Sequence, residues 1–141
     1  MSSQNNPALV AAACLSAIAA VLHLLIIARG APWYRLFGAG EAMARAAERG
    51  RRYPALVTAA IAAVLGVWCA FALSGAGLIP ALPLLRPALV AITAVYLLRG
   101  LVLVPVLVLP RRPARTFWLW SSAICLVFGV VHLVGLWQLP G

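Results

Sequence analysis

The chain has no lysine and no aspartate, and its only acidic side chains are Glu41 and Glu48. This shortage narrows the chemistry. There is no carboxylate pair for general acid–base work and no Ser-His-Asp set with a usable acid. His-x-x-x-His spacing and a phosphate-binding glycine loop are also missing. Cysteine is scarce: Cys14, Cys69 and Cys125 are odd in number, each lies in an apolar run and none forms a Cys-x-x-Cys pair. Neither a disulfide framework nor a thiol-redox enzyme is supported, and the three read as small buried residues. The start of the chain has no positive residue ahead of its first apolar run, and that run is too long for a signal-peptide core, so it is expected to stay as a membrane span.

Hydrophobic residues make up 65% of the 141 positions and charged ones 9%. A soluble domain of this size could not cover its exterior with so little polar surface, so lipid must be the outer solvent. The expected fold is all-α: a four-helix transmembrane bundle forming a single integral membrane domain over residues 1–141, with spans at about 8–28, 54–73, 87–109 and 116–139. Asn6-Pro7 opens the first span as cap and first-turn proline, and Arg29-Gly30 closes it. Pro54 begins the second and Ser74-Gly75-Ala76-Gly77 stops it. In the third, Pro105 should bend the last turns and Pro110 end them. Trp118 and Trp120 at one end of the fourth span and Trp137 at the other form an aromatic belt. The short connection Arg111-Arg112-Pro113-Ala114-Arg115 makes the third and fourth spans antiparallel neighbours.

What the chain does have is arginine, eleven in all, giving a formal net charge of +9. Nine of the eleven fall in the first and third loops, while the other flanks hold only Arg86. By the positive-inside rule those two loops are cytoplasmic and both termini face outward, in a bacterial inner membrane. No basic stripe with interleaved exposed aromatics exists outside the loops, so no nucleic-acid partner is expected. In loop one, Trp33, Tyr34 and Phe37 are placed at the headgroup level. Glu41 to Arg49 reads as a short interfacial helix, with Glu41–Arg45 and Glu48–Arg52 as surface pairs and Met43, Ala46 and Ala47 towards the membrane.

The eleventh arginine is the anomaly. Arg99 stands about twelve residues into span three, which at ~1.5 Å per residue puts it near the bilayer midplane, where a charge is costly. No span contains an acid to meet it. Tyr96 lies one turn away, and Thr93, Tyr96 and Gly100 form a stripe that matches a second one of Ser122, Cys125, Gly129 and His132 on span four. If the stripes face each other, the bundle centre is polar. His23 and His132 could suggest a haem ligated from two sides, but their depths differ by roughly 15 Å along the membrane normal at ~1.5 Å per residue, so no cofactor is expected.

Leu22-His23-Leu24 late in the first span, Leu97-Leu98-Arg99-Gly100 in the third and a cysteine- and glycine-bearing fourth span together resemble the small four-span bacterial membrane proteins of unknown function. The resemblance covers most of the chain, matches at Arg99 and His23, and does not extend to Gly38-Ala39-Gly40-Glu41. It implies a bacterial inner-membrane location and no particular activity.

The function expected from the sequence is binding, with transport left open, of an anionic amphiphile or small solute at a polar bundle centre. Arg99 is the anion anchor, Tyr96, His23 and His132 are hydrogen-bonding neighbours, and Glu41 is a gate or counter-charge. Two alternatives stand beside it. One is an accessory or self-associating subunit whose Arg99 pairs with an acid on another membrane chain or an identical copy. The other is a membrane enzyme acting on a lipid or quinone. The bilayer itself is the expected surrounding partner, and no residue is assigned as catalytic or metal-binding.

Overall fold

The structure, a computed structural model, describes residues 5–108 and 115–139. They form α1 (Pro7–Arg29), α2 (Ala31–Leu36), α3 (Glu41–Glu48), α4 (Tyr53–Gly75), α5 (Leu85–Leu101), α6 (Leu103–Val108) and α7 (Arg115–Trp137). No strand occurs among the described residues. Among the described residues four stretches are long and apolar enough to cross a membrane: α1, α4, α5 continued by α6, and α7. That architecture fits a polytopic membrane protein. Pro110 and the connection 111–114 lie outside the described residues.

Polarity is inverted relative to a soluble protein. Ile18, Leu56, Leu98 and Val127 are exposed, whereas Ser16, Thr93, Ser122 and His132 are buried. An exterior of large apolar side chains is stable only against hydrocarbon.

The chain divides into two compact units. One comprises residues up to Ser16 and from Val67 onward. Asn6 caps α1 here: its Oδ1 accepts the Leu9 backbone N–H (3.0 Å), and its Nδ2 donates to the Gly135 carbonyl (2.8 Å) near the end of α7. Ser74 ties down the turn after α4, donating to the Pro80 carbonyl (3.1 Å) and accepting from the Leu82 N–H (2.9 Å). α5 begins after Leu84, whose φ of 56° is left-handed. The third apolar stretch breaks at Val102, three residues ahead of Pro105. Proline removes the N–H that would bond to Leu101, and its ring presses on that carbonyl, so the break falls where α5 ends.

α5 and α7 pack on each other through glycine. A Cβ added at Gly100 would lie 2.9 Å from the Leu126 Cα, and one at Gly129 would lie 2.7 Å from Leu97 Cδ2 and 3.1 Å from the Leu97 backbone nitrogen. Gly135 is closed in the same way by Leu9. Without hydrophobic drive between helices in lipid, such close backbone approach supplies the van der Waals contact that holds them.

The other unit, residues 17–66, holds α2 and α3. The sequence predicts one helix in this loop, and α3 is that helix. α2 is additional: Gly30 takes a φ of 72° to turn the chain out of α1, and Pro32 fits the first turn of the new helix. The three aromatics do not share one exposed layer: Trp33 and Phe37 are half-buried and Tyr34 is buried. Tyr34 packs with Ile26, Ala31 and Ala44, with Leu22, Trp33, Phe37, Met43 and Ala47 around them. Met43 and Ala47 therefore pack on protein. The Thr58 hydroxyl donates to the Pro54 carbonyl (2.8 Å) and lies 3.3 Å from the Tyr34 hydroxyl.

Two glycine substitutions separate packing from propensity. Gly100→Ala must push α5 off the Leu126 backbone and is expected to cost about 1–3 kcal/mol. Gly66→Ala, exposed mid-helix with nothing within 4 Å of the added Cβ, should gain about 0.5–1 kcal/mol. Unfolding in detergent reads both, and equal effects would contradict the α5–α7 contact.

Candidate functional site

The site is built on the antiparallel register of α5 and α7. Gly100 faces Leu126 and Leu97 faces Gly129, so the Arg99 Cα is level with the middle of α7. Its guanidinium is not. One Nη donates to the Ser122 Oγ (3.0 Å) and the other to the Ser121 Oγ (2.8 Å). Those serines lie about five residues nearer the start of α7, an axial offset of ~8 Å that the side chain and its hydrogen bonds span together, so the guanidinium is carried towards the start of α7. The Trp118 ring covers the guanidinium at 4.9 Å from its centroid. The sequence places the charge near the midplane; in the structure the Arg99 backbone is level with the middle of α7 and the guanidinium lies towards the start of that helix.

Two adjacent serines on one helix diverge by about 100°. A guanidinium spans both because its two Nη groups form a planar fork. Each hydroxyl accepts from Arg99 and keeps its own hydrogen to donate. Ser122 is fully buried and Arg99 half-buried.

The two stripes do face each other, but the seam between them is close-packed. Tyr96 fills it: its ring lies 4.8 Å from Trp68, 5.4 Å from Phe128 and 5.1 Å from His132. Its hydroxyl lies 3.3 Å from the Ser16 Oγ, so its hydrogen bond runs to α1 and not to Arg99. His132 is fully buried, with Nδ1 2.8 Å from the Phe128 carbonyl one turn back on its own helix. In the tautomer that donates there, Nε2 is an acceptor, and it has no partner among the described residues. Tyr96 and His132 thus share one cluster, and Arg99 with its serines forms another on the same pair of helices.

His23 and Glu41 belong to the other unit. His23 turns Nδ1 to the Ala19 carbonyl of its own helix (2.7 Å). Glu41 and Glu48 converge on Arg35, which reaches Glu41 with Nε (3.0 Å) and Nη2 (2.9 Å) and Glu48 with Nη1 (2.7 Å). Arg45 approaches Glu41 only at 3.7 Å. Helix-surface pairing within α3 is therefore secondary to an arginine from α2 that clamps both acids. The hydrogen bonds from Arg35 hold both carboxyls below the usual glutamate range and raise the guanidinium's own pKa.

Ser121, Trp118 and Arg35 carry roles that the sequence reading did not assign. Ser121-Ser122 was the available signal, as adjacent hydroxyls inside an apolar run. Among the described residues no cluster of His, Cys, Asp and Glu could hold a metal. No family model matches the chain, and neither a curated protein nor a solved structure matches it.

The Arg35 clamp makes a pH prediction. Because the folded glutamate pKa values are depressed, the clamp's contribution is present above the ordinary value, ~4.3, and is lost as pH falls through the lowered ones. Amide-exchange protection across 31–48 should be full at neutral pH and fall in acid below that value, and Arg35→Gln should remove the dependence. An unchanged acid profile in Arg35→Gln would rule the clamp out.

Proposed function

We propose that this chain is a small polytopic protein of the bacterial inner membrane that binds the anionic headgroup of an amphiphile at Arg99, with Ser121 and Ser122 as co-ligands. One observation carries the reading: a guanidinium inside an apolar span is held by neutral hydroxyls, while both acidic side chains of the chain are engaged by Arg35. The charge is positioned but not neutralised. An intramembrane ionisable group without an internal counter-charge is a ready anion site. The two serine hydroxyls can donate alongside the guanidinium, the convergence of donors that a phosphate or carboxylate accepts.

Reach towards the loop-three end fits a headgroup better than a solute at the midplane. By the arginine count loops one and three are cytoplasmic, so the headgroup is that of an inner-leaflet lipid or a similar amphiphile. The reading is one of binding without turnover, since Tyr96 and His132 hydrogen-bond away from the Arg99 cluster.

Native mass spectrometry in a lipid-retaining detergent tests it. Wild type should carry a specific co-purifying mass. Arg99→Leu should lose it, and Ser121→Ala/Ser122→Ala should weaken retention by roughly tenfold, the scale of one to two charge-assisted hydrogen bonds. If Arg99→Leu keeps every bound mass but loses an oligomer or a partner chain, Arg99 belongs to a protein interface and the binding reading fails.

A further inference from the structure

A second concentration of positive charge lies in the unit of residues 17–66, and a single glycine organises it. α3 ends in a Schellman turn: Gly50 has a φ of 69°, its N–H bonds to the Ala47 carbonyl (3.0 Å), and the Arg51 N–H bonds to the Ala46 carbonyl (3.0 Å). This turn folds Arg51 back beside Arg45 and Arg49, which already share a face of α3 at i and i+4. The three arginines and Tyr53 frame a groove of about 420 Å³ with Ala42 and Ala46 in its lining. That volume is within the range of small-molecule sites, roughly 300–1,000 Å³.

The charge around it is one-sided. Among the described residues, Arg45 alone of the three comes within 4 Å of a carboxylate, 3.7 Å from Glu41, whose oxygens are already taken by Arg35. Like charges at i and i+4 repel, and an anion in the groove relieves that repulsion. Tyr53 identifies the layer in which the groove opens, because it is the first residue of α4, a candidate membrane span. Tyrosine at a span's end sits at headgroup depth, and Arg45, Arg49, Arg51 and Arg52 make the four-residue basic cluster that attracts anionic lipid.

We propose that the groove framed by Arg45, Arg49, Arg51 and Tyr53 seats the phosphate headgroup of an anionic membrane lipid, as a site separate from and independent of Arg99. The full chain, reconstituted in phosphatidylcholine vesicles containing phosphatidylglycerol with a photoreactive headgroup, provides the test, with labelled peptides mapped by mass spectrometry. Label should appear within residues 42–53 and be displaced by unlabelled phosphatidylglycerol but not by added phosphatidylcholine or inorganic phosphate. Arg49→Gln/Arg51→Gln should reduce it roughly tenfold or more, as expected for removing two surface charges. Both positions are exposed, so the helices should be intact by circular dichroism. Arg99→Leu should leave this label in place. The proposal is overturned by no label in 42–53, by label indifferent to the double substitution, or by displacement with inorganic phosphate as effective as with phosphatidylglycerol.

Discussion

A positive charge in an apolar span has to be hydrated, paired or hydrogen-bonded, and the arrangement of α5 against α7 answers to that requirement. The two carboxylate side chains of the chain, Glu41 and Glu48, are held by Arg35 and do not meet Arg99. It uses hydroxyls, and hydroxyls in register with it exist only because Gly100 and Gly129 let the two backbones close to contact. A methyl group at Gly100 would meet the Leu126 backbone and press the two helices apart beside the Arg99 seat. The seam of small residues and the seating of the charge are one feature.

The aromatic cluster around Tyr96 divides the polar content of these helices in two. Towards the loop-three end, arginine, two serines and Trp118 form a donor-rich group with a net charge. Beyond Tyr96, Ser16 and His132 lie in a close-packed interior. A charged group towards the start of α7 with a close-packed interior behind it is the arrangement that the proposed headgroup site requires, and it suits passage of a solute poorly.

Much of the fold was legible in the sequence because hydrocarbon imposes a length and a composition on every span; α1, α4 and α7 begin and end within a few residues of where the apolar runs predict. Arg99 was legible as an exception to that rule. Its partners were not, since Ser121 and Ser122 depend on the α5–α7 register and on how far a long side chain extends along the helices. Arg35 was missed for a related reason: i, i+4 pairing considers one helix at a time, and α2, a six-residue helix opened by Gly30, delivers an arginine from outside α3. The break at Val102 shows the same limit, since Pro105 acts one turn before its own position.

The proposed site requires the Arg99 charge to be met by an anion from outside the chain. Carbon–phosphorus dipolar recoupling by solid-state NMR, on protein with labelled arginine in bilayers containing phosphatidylglycerol, measures this contact directly. The difference between wild type and Arg99→Lys isolates the Arg99 Cζ signal. Phosphorus should dephase this signal at hydrogen-bonding range, and the dephasing should weaken, without vanishing, in Ser121→Ala/Ser122→Ala. An Arg99 signal untouched by phosphorus, in protein that still keeps its serine contacts, would contradict it.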